Sequence, residues 1–301
     1  MYQPKFTITN TILKNIGIIE ACREVIDHAP LLPYYEKQFR QDALIRTVHY
    51  GTHIEGNQLN LDQAEKVLIG QEVVARERDI QEVINYRKAM KLIDDLGFKI
   101  KDLRIDEDTI KKLHRITVDK IMPAEKCGEY RKTQVVVKNN KTLEVSFRPP
   151  RAEAISSQIS DLIAFANSPQ DQDLHPILKS GIVHYELVRI HPFLDGNGRV
   201  ARALSTLILF LEGYDIKKFF SLEEYFDSSG AEYYKALQSV EREKGDLTFW
   251  LEYFTQGLAI ELSKIKEKVE RISVDGRLRE KLGGKPLVLP TFSYGFRGHN
   301  S

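Results

Sequence analysis

One stretch limits what this chain can fold into more than any other: His191-Pro192-Phe193-Leu194-Asp195-Gly196-Asn197-Gly198-Arg199-Val200-Ala201-Arg202. It sets an imidazole, a carboxylate, an asparagine between two glycines and two arginines directly ahead of a mostly apolar run over residues 203–211. A run that is hydrophobic nearly all round belongs at the centre of a bundle. The polar loop must then open onto the N-terminus of that central helix. There the first-turn N–H groups lack intrahelical partners, and with the helix dipole they favour an anion. Gly196 and Gly198 allow the backbone to approach such an anion closely. Arg199 and Arg202 share one helix face and can grip a single polyphosphate. His191 stands at the other lip, where it can take a proton from an incoming group. Asp195 suits Mg²⁺. From the residues alone, this is a phosphate cradle with a base and a metal carboxylate beside it.

The rest of the chain is written as helices. Residues 9–28 carry Ile12, Ile16, Ile19 and Ile26 at helical spacing, and a second helical stretch covers residues 34–50. A short polar segment over residues 51–57 follows. Asn60 with Gln63 makes an N-terminal capping pair, Gly70 closes that helix, and Asp106 caps another. Residues 79–95 present Val83, Tyr86, Met90 and Ile93 as one stripe. The pattern changes only once. Residues 134–137 and 142–147, around Lys138-Asn139-Asn140-Lys141, read as a β-hairpin. Helices are then expected over residues 151–167, from Pro176 into His191, over 222–242 without interruption, and over 247–282. The predicted fold class is mainly α, a helical bundle with one β-hairpin.

Composition removes several alternatives. A net charge of +1 over 301 residues argues against a broad nucleic-acid footprint. The two cysteines, Cys22 and Cys127, lie far apart, and the simplest reading is a reduced, cytoplasmic protein. No CxxC or HExxH pattern marks a zinc site, and no apolar segment is long enough to span a membrane. His49, His53, His114, His175 and His184 have no ligand spacing with one another and read as structural or exposed. The charge-rich but sign-mixed segment 264–279 reads as a solvated or dimer-contact helix.

The opening stretch matches the pattern HPFx(D/E)GNGRxxR at every fixed position and so resembles the motif of Fic-domain proteins. The block Ile54-Glu55-Gly56-Asn57, with Arg46-Thr47, looks like the helical region that precedes many Fic domains. Gly128-Glu129-Tyr130-Arg131 followed by a hairpin looks like the entry to the Fic flap. The resemblance covers residues 6–260. It implies a Fic-type helical bundle, with an N-terminal region over 1–100 carrying an inhibitory motif, a catalytic core over 101–262, and a C-terminal helix and tail over 263–301.

The resemblance also implies chemistry: transfer of AMP from Mg-ATP to a Ser, Thr or Tyr hydroxyl of a protein, with release of pyrophosphate. His191 would be the base and Asp195 would hold Mg²⁺. Gly196, Asn197 and Gly198 would form the anion nest. Arg199 would bind the outer phosphates and Arg202 the γ-phosphate, while Phe193 would anchor the loop. Phosphokinase-type relatives carry lysine at the position of Gly198, so glycine here favours nucleotidyl transfer. Tyr233 and Tyr234 resemble a pair found beside the adenine. Glu55-Gly56 matches the end of the inhibitory pattern (S/T)xxxE(G/N), with Gly51 at its first position, and implies a Glu55–Arg202 ion pair that displaces the γ-phosphate. The hairpin would act as a flap that holds an extended target by strand addition. Self-modification and a homodimer are further expectations. Two alternatives stay open: removal of AMP from a target, and a nucleotide-binding regulatory protein with little transfer activity.

Overall fold

The computed structural model describes residues 2–99, 104–138, 145–167 and 174–281. Eleven α-helices and one short strand pair occur among the described residues. Helix α1 (Asn10–His28) starts where the Thr9 side chain accepts from Ile12 N, and it buries Ile12, Ile19 and Ile26 at successive sevens. That stripe packs along α11 (Thr248–Lys281). The buried Asn15 of α1 meets Thr255 Oγ1 of α11 at 3.0 Å, so its amide is satisfied within the seam. Ahead of α1, Leu247 N donates to Lys5 O at 2.8 Å, which fixes the lead-in against the start of α11.

The centre is the pair α7 (Pro176–Ile190) and α8 (Asn197–Leu211), buried on nearly every face. The loop between them is the motif. Around this pair stand α2 (Pro33–His53), α3 (Leu61–Leu68), α4 (Glu77–Lys99), α5 (Glu107–Thr117) and α6 (Ile155–Ala166). The capping box predicted at Asn60 and Gln63 opens α3, and Asp106 caps α5 through Thr109 N at 2.7 Å. One continuous apolar core runs from Ile12 through Val83, Leu113 and Phe193 to Val269.

Three expectations change. The polar segment at 51–57 is not all loop: α2 continues through Gly51, Thr52 and His53, because Thr52 is buried and turns its hydroxyl back onto Val48 O and His49 O. Residues 222–242 are two helices, α9 (Leu222–Ser228) and α10 (Gly230–Arg242), broken at Ser229 with φ −140° and ψ 59°. At its root the hairpin starts later than predicted, with β1 (Val137–Lys138) and β2 (Val145–Phe147) antiparallel among the described residues and Val137 opposite Phe147. Carried backwards, that register sets Val135 and Gln134 against Pro149 and Pro150, which have no N–H to donate, so the ladder stops. Gln134 Nε2 instead donates to Pro149 O at 2.8 Å. Residues 100–103, 139–144, 168–173 and 282–301 lie outside the described residues, and with them most of the predicted hairpin turn, the start of its second predicted strand and the predicted tail.

Candidate active site

His191 ends α7 in the left-handed conformation, φ 51°, and this turns the chain from the helix into the loop. Its Nδ1 lies 3.3 Å from Val188 O. A carbonyl can only accept, so Nδ1 carries the proton and Nε2 keeps its lone pair for another group. Burial pushes the imidazole below its ordinary value and outweighs the opposing Val188 contact, so the ring is neutral at neutral pH.

The loop is clasped from three sides. Asn197 accepts from Phe193 N and donates to Phe193 O, both at 2.9 Å, which closes the turn on itself. His114 on α5 accepts from Gly128 N with Nδ1 at 2.8 Å, so its Nε2–H is the donor to Asp195 O at 3.1 Å. The His114 ring also stacks on the fully buried Phe193, with centroids 3.7 Å apart. Arg131 donates from Nε to His191 O at 2.9 Å and from its backbone N to Pro192 O at 2.8 Å. The same guanidinium reaches Thr133 O and Pro150 O, the roots of the two flap strands. Phe193 is thus the anchor that the sequence implied. The side chain of Asn197 holds the loop through the Phe193 peptide groups.

Gly196 precedes α8 with φ 77°, and a Cβ there would press on Val118. No side chain caps α8, so its first-turn N–H groups stay available. A Cβ on Gly198 would collide with Oε1 of Glu55, which shows where that carboxylate lies: over the first turn of α8, in the place of an anion. Glu55 Oε1 accepts from Arg202 Nη2 at 2.8 Å, and the same nitrogen donates to Gly51 O at 2.8 Å. Gly51 stands where the inhibitory pattern has a hydroxyl residue because the Tyr86 ring leaves no room for a Cβ. Arg202 is 2% exposed. Burial acts to lower its pKa, but Glu55, Tyr233 and Tyr86 outweigh it and hold the guanidinium charged. Arg202 Nε and Nη1 and Arg199 Nε are buried with no hydrogen-bond partner of ordinary geometry among the described residues. These donors point to an anion richer in oxygen than the one carboxylate present.

Asp195 accepts from Gly196 N at 2.6 Å and from Arg199 Nη2 at 3.2 Å on Oδ1, and from Arg78 Nη2 at 2.7 Å on Oδ2. Burial pushes its carboxyl up, but Arg199 and Arg78 together overcome this and keep it ionised. Among the described residues no three acidic, His or Cys side chains gather as a metal cage. One ionised carboxylate beside a phosphate cradle still fits Mg²⁺, which takes one or two carboxylates, water and substrate phosphates.

The two tyrosines part ways. Tyr233 is in the core, with its hydroxyl 2.9 Å from His184 Nε2. Only Tyr234 reaches the surface, and its hydroxyl donates to Ile54 O at 3.3 Å beside Glu55. Site residues that sequence reasoning missed are His114, Arg78 and Glu82, while Arg131 was legible only as the flap entry. Cys22 and Cys127 are both free thiols. No described helix is long and apolar enough to cross a membrane.

Known proteins resemble this chain in sequence and in fold. A model of the Fic/DOC family matches residues 104–209. Over 180 residues the chain is 31% identical to protein adenylyltransferase fic-1 of Caenorhabditis briggsae, covering 59% of this chain and 34% of that protein. The chain therefore spans about a third of the length of the curated relatives it matches. The structure of a Fic family protein from Desulfovibrio desulfuricans G20 superimposes with a TM-score of 0.74 at 24% identity, covering 95% of this chain and 87% of that one. Fic-1 (residues 134–508) from C. elegans superimposes with a TM-score of 0.69 at 26% identity, covering 85% of this chain and 71% of that one. The motif loop lies inside the matched stretch, and residues 104–209 of this chain are a Fic/DOC family domain.

Proposed function

We propose that this chain is an autoinhibited protein adenylyltransferase, which moves AMP from ATP to a side-chain hydroxyl. The observation that carries the reading is the uncapped start of α8: its anion position is filled by Glu55, and Nε and Nη1 of buried Arg202 and Nε of Arg199 beside it have no hydrogen-bond partner of ordinary geometry among the described residues. A triphosphate supplies the oxygens that this cradle leaves unmatched. The names of the curated relatives support the same activity.

In the proposed reaction His191 Nε2 takes the proton of the target hydroxyl. The hydroxyl oxygen bonds to the α-phosphorus, the bond from that phosphorus to the bridging oxygen breaks, and pyrophosphate leaves. Arg199 and Arg202 hold the outer phosphates, and the N–H groups of Gly198 and Arg199 face the developing charge. Asp195 would hold Mg²⁺, which when bound neutralises phosphate charge. The flap offers its edge to an extended segment of the target, this chain's own segments included. Glu55 is the brake, because its carboxylate and a γ-phosphate compete for one guanidinium.

Incubation with ATP labelled on the α-phosphate tests this. Glu55→Gly should incorporate label at least about tenfold faster than wild type, as expected where a competing ion of about 1.4 kcal/mol is removed. His191→Ala in the same background should incorporate none. Label that persists without His191, or no label in Glu55→Gly despite bound ATP, rejects the reading.

A further inference from the structure

Four charged side chains close a ring beside the cradle. Arg78 Nη2 donates to Asp195 Oδ2 at 2.7 Å, and Arg78 Nε donates to Glu82 Oε1 at 3.1 Å. That Glu82 oxygen lies 3.3 Å from Arg199 Nη1, and Arg199 Nη2 returns to Asp195 Oδ1 at 3.2 Å. Two guanidiniums and two carboxylates balance one another, so nothing in the ring calls for a further cation while it is closed.

The four members differ in freedom. The side chains of Arg199 and Glu82 are 2% and 6% exposed, whereas that of Arg78 is 57% exposed. Glu82 is held further by Asn57 Nδ2, which donates to its second oxygen at 3.0 Å. Arg199 is fixed in the first turn of α8. Arg78 is therefore the member that can leave. The Asp195 oxygens differ too: Oδ1 is taken by Gly196 N and Arg199, while the partner recorded for Oδ2 is Arg78.

We propose that Arg78 gates the metal carboxylate, occupying the Asp195 oxygen that a divalent cation needs and leaving before that cation is held. This rests on the reading of Asp195 given above. A cation coordinated by Oδ2 would lie about 2.1 Å from it. A guanidinium at hydrogen-bond distance from the same oxygen brings positive charge against positive charge, so the two exclude each other. Once displaced, Arg78 swings outward on its exposed stem and keeps Glu82 as its counter-ion. The chain then carries two brakes on two ligands: Glu55 opposes the nucleotide phosphates and Arg78 opposes the cation. Both hang from one short stretch, because Asn57, two residues after Glu55, donates to Asp79 O as well as to Glu82.

The test separates the brakes on the full chain. Mn²⁺ uptake at a fixed excess of ATP is followed by the loss of the free-Mn²⁺ resonance, and ATP binding in EDTA is followed by calorimetry. Arg78→Gln should lower the half-saturating Mn²⁺ about three- to fivefold, the factor expected of a partly exposed ion pair. It should leave ATP binding in EDTA within about twofold, a change too small to mark a lost phosphate contact. Arg78→Lys, which keeps a cation on Asp195, should stay close to wild type. Glu55→Gly should do the reverse, strengthening ATP binding in EDTA. An unchanged Mn²⁺ midpoint in Arg78→Gln overturns the gate. So does weaker ATP binding in EDTA, which would mark Arg78 as a phosphate ligand. The label experiment reads the transfer reaction independently, so its failure is not mistaken for failure of the gate.

Discussion

At the scale of single residues, His191 is useful because of what holds its other nitrogen. With Nδ1–H committed to Val188 O and the ring pushed down by burial, Nε2 is an unprotonated base at neutral pH. A base must be neutral to act, so transfer should be full at pH 7 and fall as pH drops. The acid limb of kcat/KM for Glu55→Gly should lie below the ordinary imidazole value of about 6.5. A limb centred above pH 7 would contradict the burial argument. His191, Asp195 and the two arginines stood out in the sequence as a candidate site because they fall within one loop and one helical turn. His114 and Arg131 act on that loop from 60 to 81 residues away, and only folding brings them there. No local pattern announces such a contact. Tyr233 shows the opposite failure: a neighbour of a surface tyrosine is turned inward by the helix period and spends its hydroxyl on His184.

At the scale of elements, the flap and the motif loop are one mechanical unit through Arg131. Its guanidinium bonds to carbonyls of both flap roots and of His191. Arg131→Ala leaves those buried acceptors unpaired, at a cost of about 2–3 kcal/mol in stability. It should also lower kcat for target modification more than it weakens ATP binding, because the base and the target-holding strand lose their common reference. Equal loss of both, measured in the Glu55→Gly background, would reduce Arg131 to a structural prop. Most helices were readable from periodicity and caps, as α1, α3 and α5 show. The break at Ser229 was missed, because the apolar residues on either side keep helical spacing and the polar run Asp227-Ser228-Ser229-Gly230 between them was read through. The short ladder was readable in principle: Pro149 and Pro150 follow β2 after Arg148, but their effect depends on a register that no local pattern reveals.

At the scale of the whole molecule, the N-terminal helices share the core of the family domain, and buried histidines are spread through it. His49 on α2 and His114 on α5 are both pushed down to about 4 by burial, and burial likewise pushes His184 on α7 well below the ordinary imidazole value. Each binds its proton more readily once unfolded. Their contribution is therefore complete above about pH 6.5 and is lost as pH falls from there toward 4. Thermal unfolding should be a single transition with a midpoint that drops steadily across that window. Two transitions, or a midpoint flat between pH 6.5 and 4.5, would contradict a shared core with neutral buried imidazoles.

The clasp on the motif loop has one more consequence. Three unrelated parts of the chain, α5, α8 and the flap root, each hold a different peptide unit of the loop, so its shape is a product of folding and not of ligand arrival. Little ordering entropy is then left for ATP to spend on the cradle itself. On the proposed reading Glu55 resists the nucleotide, and Arg78 the cation, by charge. Added salt, which leaves the loop untouched, would then adjust the proposed inhibition without reshaping the cradle.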